Sequence, residues 1–171
     1  MARPDTPYTV FHVSDEVRRV DVGATHVALP VRDLDKSLAF YEAFAGMTVV
    51  HSRRDRDGEG RVAWISDLTR PFVVVLIQGA PLSHVLGGWS HLGVGCARRE
   101  DVDGLCDRAR AEGREVLGPY DEGPPVGYWA FIQDPDGHNL EISFGQEVGL
   151  TVSEHSDAAG AGARAGHRPI G

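Results

Sequence analysis

The hydrophobic and polar positions of the chain pass through the same series of patterns twice. Each half begins with a short alternating stretch, which is typical of a strand with one buried face, and continues with apolar residues at helical spacing. Three further strand-like stretches follow each helical pattern. The order strand, helix, strand, strand, strand is therefore predicted over about 24–79, the first module, and again over about 90–145, the second module.

Capping and turn residues mark the ends of several predicted elements. Asp33 is a suitable N-cap for the first helix, and Gly46 stands where a left-handed glycine usually ends a helix. Gly113 is expected to stop the second helix in the same way. Residues 134–137, Asp-Pro-Asp-Gly, are a tight-turn signal directly before the last predicted strand, 139–144.

The two halves match at a nearly constant offset. His26 and His91 open the two first strands 65 residues apart (91 − 26 = 65), and Trp64 and Trp129 are separated by the same distance (129 − 64 = 65). A constant offset over much of the chain indicates an internal duplication. Residues in equivalent positions are therefore expected to occupy equivalent places in the fold.

Strand parity predicts which side chains share a face, because successive side chains alternate. In the last strand Leu140 and Ile142 should pack on the helices, so Glu141 points to the opposite face, where His26 and His91 are also expected. If the modules pack about a pseudo-twofold axis, these three side chains converge. Two imidazoles and one carboxylate are a set that holds a divalent metal with open positions. A lone histidine is more often structural, but the repeat-matched positions favour a metal site.

Composition and charge argue against several kinds of partner. The 171 residues carry a net charge of −8 with Lys and Arg scattered, so neither nucleic acid nor an anionic membrane is expected as a partner. No apolar run approaches the roughly 20 residues that span a bilayer. The polar start shows no secretory signal. A cytoplasmic protein is expected, with Cys96 and Cys106 as reduced core residues.

The length suits one domain, predicted over 24–147. Residues 1–23 have no counterpart in the second module and are interpreted as an N-terminal extension. Residues 148–171, rich in Ala, Gly and charge, are expected to be a mostly flexible tail. The linker 80–88 between the modules can span roughly 30 Å when extended, so it permits modules that pair within one chain or swap between chains. A homodimer is expected, with both arrangements open.

Two segments resemble a known family. Residues 33–41, Asp-Leu-Asp-Lys-Ser-Leu-Ala-Phe-Tyr, are similar to the first helix of the vicinal oxygen chelate superfamily, and 134–141, Asp-Pro-Asp-Gly-His-Asn-Leu-Glu, to its final turn and metal-bearing strand. The superfamily includes glyoxalase I, extradiol dioxygenases, methylmalonyl-CoA epimerase, fosfomycin-resistance thiol transferases and bleomycin-binding proteins. The resemblance implies an α+β fold in which two βαβββ modules form a U-shaped half-barrel around a metal.

Members of this superfamily differ at a fourth metal position, on the last strand of the first module. Alignment of the two modules places Val75 at this position. Glyoxalase I, which this chain resembles, has a glutamate there. Gln78 is nearby, but strand parity puts it on the other face. Three ligands instead resemble the extradiol dioxygenases and fosfomycin enzymes. This chain departs from both, with Phe131 where the dioxygenases have a tyrosine and Ala28 where the fosfomycin enzymes have a threonine.

Several side chains are candidates for contacting a substrate. Trp64, Trp129 and Phe131 share strand parity and are predicted, with Val75, to line an apolar slot for a small molecule, although ordinary sheet packing explains the tryptophans equally well. His51 is a candidate general base at the end of a strand. Tyr128 is a candidate phenol donor, although its strand parity points it away from the metal. His138, in the turn before the last predicted strand, is expected to face solvent.

Three classes of function follow. The leading hypothesis is an Fe²⁺ dioxygenase-like oxidoreductase acting on a small substrate with vicinal oxygens. The second is a glyoxalase-like lyase or isomerase, or a fosfomycin-type thiol transferase, using Mn²⁺, Ni²⁺, Zn²⁺ or Co²⁺. The third is a drug-binding protein similar to bleomycin-resistance proteins, with vestigial ligands. Metal identity and oxygen uptake discriminate among them.

Overall fold

The computed structural model describes residues 23–54, 58, 60–79, 84–149 and 151–153. The predicted N-terminal extension, apart from residue 23, and most of the predicted tail lie outside these residues. The elements of the first module are β1 (His26–Val31), α1 (Leu34–Ala45), β2 (Thr48–Arg54), β3 (Arg61–Ser66) and β4 (Val73–Gln78). Those of the second module are β5 (His91–Gly95), α2 (Arg99–Ala111), β6 (Val116–Asp121), β7 (Tyr128–Gln133) and β8 (Asn139–Phe144).

Each module forms one four-stranded sheet with the same topology. The strand orders are β1-β4-β3-β2 and β5-β8-β7-β6, and in each sheet the first strand pairs in parallel with the last. The predicted α+β fold of two βαβββ modules is therefore confirmed. β6 continues past Gly118 and Pro119 to Asp121, with a register shift between Leu117 and Tyr120.

Helix α1 illustrates how local sequence sets these elements. The Asp33 carboxylate accepts a hydrogen bond from the Lys36 backbone N–H (3.2 Å), and Gly46 ends the helix with φ 61°. Between these caps Phe40 and Phe44 lie on the buried face and stack with ring centroids 4.9 Å apart. Burial of each such ring stabilises the fold by about 1.5–3 kcal/mol. The helix is thus held by its caps and by one apolar face.

The two helices lie between the two sheets. α1 packs on β2, β3 and β4, and α2 packs on β6, β7 and β8. The buried apolar residues of both modules join in a single core, which includes Leu29, Leu76, Val102 and Ile142. Because the helices cover one face of each sheet, we call the opposite face its open face. The candidate site residues are carried by these two open faces.

His138 is buried and links the modules, so the expectation that it faces solvent is wrong. It is 1% exposed, and its Nε2 lies 2.9 Å from the Pro30 carbonyl oxygen of the first module. The carbonyl only accepts, so Nε2–H donates, and Nδ1 accepts from the Leu86 backbone N–H (3.0 Å). The residues of the turn do not predict these contacts, because both hydrogen-bond partners of His138 are distant in sequence.

Carboxylates of the same turn hold the other side of the module junction. The Tyr41 hydroxyl donates to Asp134 (3.2 Å), and the Arg32 guanidinium donates to Asp136 (2.8 Å). Burial raises the pKa of Asp134 above its ordinary range, and burial together with the Asp134 charge raises the pKa of Tyr41. The turn that precedes the Glu141 strand is therefore attached to the first module of the same chain.

Candidate metal centre and substrate cavity

His91 and Glu141 meet on the open face of the second sheet. His91 Nε2 lies 3.4 Å from Glu141 Oε2, across the adjacent parallel strands β5 and β8. His91 Nδ1 lies 2.8 Å from the Trp89 carbonyl oxygen, which can only accept, so Nδ1–H donates to it. In neutral His91 this leaves the Nε2 lone pair facing the carboxylate. A backbone carbonyl on the distal ring nitrogen is the arrangement that orients metal-binding histidines in proteins.

Glu141 is almost fully buried, with 7% exposure. The side-chain amide of Gln146 donates to its Oε1 (2.7 Å), which leaves Oε2 on the side of His91. A buried carboxylate is costly unless it is paired, hydrogen-bonded or bound to a metal. The His91 and Glu141 pair therefore offers one nitrogen and one oxygen donor at a single point.

His26 occupies the equivalent place on the first sheet, but it lies on a different open face. It is exposed, and its Nδ1 lies 3.0 Å from the Thr25 hydroxyl oxygen. The cavity around it is lined by residues of the first module alone. Within the described part of the chain, no group of three His, Cys, Asp or Glu side chains could hold a metal.

The expected convergence of all three ligands is therefore not found within one chain. Strand parity predicts that each candidate metal ligand lies on the open face of its own sheet, and the structure has this arrangement. It does not bring the two open faces together, because the helices and the shared core lie between the sheets. The single chain thus presents the predicted ligands as two candidate half-sites, one with His26 and one with His91 and Glu141.

Val75 stands at the fourth position and faces the cavity on the first sheet. It pairs with Ala28 on β1 and with Trp64 on β3, as Glu141 pairs with Gly93 and Phe131 in the second module. The open cavity has a volume of about 830 Å³. The site therefore has an apolar wall where a fourth ligand would stand.

The other first-module candidates lie on the same open face. Trp64 is 41% exposed and lines the cavity. His51 is its register partner on β2, and the two ring centroids are 5.0 Å apart. Gln78 has the opposite parity and accepts a hydrogen bond from Arg61 (3.2 Å), so it stands away from the ligand position.

Aromatic side chains cover the open face beside His91. Phe131 lies 4.8 Å from the His91 ring and 4.9 Å from Trp129 between centroids. Trp89 contacts both Trp129 and Phe131 at 6.3 and 6.1 Å, and it is 76% exposed. Tyr120 extends the group at 5.2 Å from Trp129. We call these four rings and His91 the aromatic wall.

Tyr128 lies away from this face, as its parity predicts. Its hydroxyl donates to Asp103 on α2, which raises the pKa of Tyr128, and the Arg99 guanidinium stacks on its ring.

Sequence reasoning missed Trp89 and Gln146, which lie outside the repeated positions. The signal that the sequence offered was proximity to the predicted ligands: Trp89 is two residues before His91, and Gln146 is five residues after Glu141.

The donor set suits a divalent first-row metal. Imidazole nitrogens bind Zn²⁺, Cu²⁺, Fe²⁺ and Ni²⁺, and two histidines with one carboxylate leave positions for substrate oxygens. The distal nitrogens of both histidines have hydrogen-bond partners, and the carboxylate is held by an amide. These features fit a metal.

Comparison with known proteins gives the family. The chain matches the family model described as the glyoxalase/bleomycin resistance protein/dioxygenase superfamily over residues 23–142. It is 39% identical over 128 residues to an uncharacterized protein of Pseudomonas aeruginosa, which covers 73% of this chain and 90% of that protein. It is 32% identical over 124 residues to a probable lactoylglutathione lyase of Synechocystis, which covers 68% of this chain and 91% of the relative.

A solved structure shows the same fold. A mutant of the fosfomycin resistance protein FosX of Listeria monocytogenes, complexed with Mn(II) and 1S,2S-dihydroxypropylphosphonic acid, matches with a TM-score of 0.58. The identity is 22%, and the match covers 78% of this chain and 99% of that one. The chain therefore belongs to the glyoxalase/bleomycin resistance protein/dioxygenase superfamily, and the resemblance inferred from its motifs is confirmed. Among its described helices, none is long and apolar enough to cross a membrane.

Proposed function

We propose that this protein is a divalent-metal-dependent enzyme whose metal is held between two copies of the chain. His26 of one copy and His91 with Glu141 of the other would supply the ligands. The observation that carries the proposal is the pairing of His91 with a buried Glu141, while His26 occupies the equivalent place on a separate open face. Each half-site lacks what the other carries.

A symmetric dimer completes both half-sites with one kind of contact. In a twofold dimer, the first-sheet face of each copy meets the second-sheet face of its partner, which gives two identical sites. The surfaces that would meet are apolar, because Trp64 and Trp89 remain 41% and 76% exposed in the single chain. Exposed patches of this kind mark interaction or ligand sites.

The reaction class best supported is that of a lyase or isomerase acting on a small molecule with vicinal oxygens. When bound, a divalent metal polarises such oxygens as a Lewis acid and needs no change of oxidation state. His51, exposed beside Trp64 on the same open face, is the proposed general base, because imidazole is the side chain that most often accepts the proton in general acid–base catalysis. The aromatic wall and Val75 would exclude water from the substrate. The similarity to a probable lactoylglutathione lyase supports this class.

The second candidate is an Fe²⁺ dioxygenase-like oxidoreductase. The apolar Val75 favours it, because three protein ligands leave room for both substrate and oxygen. Phe131 weighs against it, since this ring carries no proton donor and lies against His91. Mn²⁺, Ni²⁺, Zn²⁺ or Co²⁺ is expected for the lyase or isomerase, and Fe²⁺ for the oxygenase.

Metal analysis of the freshly purified protein tests the proposal. We expect close to one divalent metal ion per chain, lost in His26→Ala, His91→Ala and Glu141→Ala, and retained in the control His84→Ala, which alters an exposed histidine of the linker. Full metal occupancy in two of the three ligand variants would overturn the metal site. Oxygen consumption with a panel of catechols would favour the oxygenase, and a protein without metal that binds an aromatic drug tightly would favour a binding module.

A further inference from the structure

The loop between β3 and β4, residues 66–72, is an unusually constrained segment of the first module. Leu68 adopts φ 61° although it is not glycine, and its side chain is 70% exposed. A left-handed conformation is unfavourable at a bulky L-residue, because it brings Cβ close to the following carbonyl oxygen. Such strain persists where surrounding contacts fix it, and it clusters at ligand-binding segments.

Hydrogen bonds within the loop hold this conformation. The buried Ser66 hydroxyl oxygen accepts from the Leu68 backbone N–H (3.1 Å), and its O–H donates to the Phe72 carbonyl (2.9 Å). Asp67 accepts from both the backbone N–H and the hydroxyl of Thr69, at 2.9 and 2.7 Å. Phe72 N–H donates to the Arg70 carbonyl (2.7 Å). Hydrogen bonds within the loop itself therefore fix its conformation.

The same loop forms one side of the cavity that contains His26. Leu68, Arg70 and Phe72 all line it. The loop ends at Val73, which is the register partner of His26 and whose N–H donates to the Thr25 carbonyl (3.0 Å). Arg70 therefore lines the same cavity as His26, three residues before the register partner of that histidine.

The charge of the cavity is opposite to that of the chain. The whole chain carries 25 acidic against 17 basic residues, yet the described lining contains Arg53, Arg70 and His26 and no carboxylate. Among the residues that the structure describes, Arg70 forms no ion pair, whereas Arg32, Arg61 and Arg99 each have one. The nearby Asp67 carboxylate lies outside the cavity lining and accepts two hydrogen bonds from Thr69, which together with the Arg70 charge lower the pKa of Asp67. The described lining of this cavity thus combines apolar side chains with two guanidinium groups.

We propose that the 66–72 loop is an anion-recognition segment, in which Arg70 binds a carboxylate or phosphonate-type oxyanion of the substrate and Leu68 packs on its apolar body. This assignment rests on the proposed function only in naming the ligand a substrate. It narrows the substrate class to small organic anions with an apolar portion. The guanidinium fork suits both kinds of oxyanion.

Binding of matched probes to the metal-free protein tests the assignment. Phenylacetate and phenylacetamide have nearly the same shape and differ in charge. We expect the full chain, freed of metal with a chelator, to bind phenylacetate about tenfold more tightly, the difference that one charge-assisted hydrogen bond supplies. Calorimetric or NMR titration at millimolar probe measures it. Equal affinity, or no detectable binding of phenylacetate, would overturn the proposal.

Four variants separate the contributions of Arg70 and Leu68. Arg70→Gln should abolish the preference for the anion and Arg70→Lys should restore part of it, while Arg61→Gln removes the same charge from β3 outside the cavity lining and should keep it. Leu68→Gly, which suits the positive φ, should keep the fold and weaken both probes equally. A preference that survives Arg70→Gln would contradict the assignment.

Failure of the metal proposal gives a different result. If the anion preference is present but the protein binds no metal, the loop assignment stands and the enzymatic proposal falls. If metal binds through His26, His91 and Glu141 but the anion preference is absent, the loop assignment falls alone. Where the anion preference is present, phenylphosphonate in place of phenylacetate distinguishes phosphonate-type from carboxylate ligands.

Discussion

Replacement of Gln146 by alanine should weaken metal binding about tenfold without unfolding the protein. Gln146 donates to Glu141 Oε1 at 2.7 Å and so holds the carboxylate with Oε2 toward His91. A hydrogen bond to a charged group contributes about 1.5–3 kcal/mol. Gln146 is exposed, so water replaces part of the lost interaction, and about 1.4 kcal/mol, or tenfold in affinity, is expected. Loss of a residue that orients a metal ligand commonly costs about 10- to 100-fold.

Calorimetric titration of Mn²⁺ into metal-free protein measures the effect. Gln133→Ala is the matched control, because Gln133 also belongs to the second sheet and pairs with Asn139 rather than Glu141. The control should bind Mn²⁺ as the wild type does. An unchanged affinity in Gln146→Ala would show that Glu141 is oriented by its strand alone. An equal loss in Gln133→Ala would show that the effect is not specific to the Glu141 contact.

Two further substitutions test other parts of the account. Val75→Glu places a carboxylate at the fourth metal position. X-ray absorption of the Ni²⁺-loaded protein should therefore show one additional oxygen ligand from protein. An unchanged coordination shell would mean that Val75 does not face the metal. His138→Ala leaves the Pro30 carbonyl and the Leu86 N–H without their partner, which should lower the free energy of unfolding by about 2–5 kcal/mol in urea denaturation. A change below about 1 kcal/mol, the range of an ordinary exposed substitution such as His84→Ala, would refute the proposed module junction.

Much of the fold is encoded locally and follows from the sequence pattern. The first helix lies between its predicted caps at Asp33 and Gly46, and β8 has the predicted bounds, 139–144. Strand parity correctly separated the side chains facing the helices from those on the open faces, including His26 and Glu141. These features depend on neighbours within a few residues, which the sequence displays directly.

The relations between distant segments were not predictable in the same way. His138 looked like a solvent-facing turn residue because its partners, Pro30 and Leu86, are 108 and 52 residues away. Trp89 and Gln146 have no counterpart in the repeat, so periodicity could not reveal them. Parity assigns a side chain to a face of its own sheet, but it does not say which face meets which. That depends on the packing of the helices and the turn 134–138 between the modules.

Complementation between two inactive variants tests the shared metal site most directly. His26→Ala and Glu141→Ala chains are purified separately, freed of metal, mixed in equal amounts with subunit exchange confirmed by mass spectrometry, and titrated with Mn²⁺. If ligands are shared, each mixed dimer has one complete site and one that lacks both residues. With statistical exchange half of the dimers are mixed, so about one quarter of all sites should bind metal tightly, although neither variant alone does so. No recovery of tight sites in fully exchanged dimers would contradict a metal centre built from two copies of this chain.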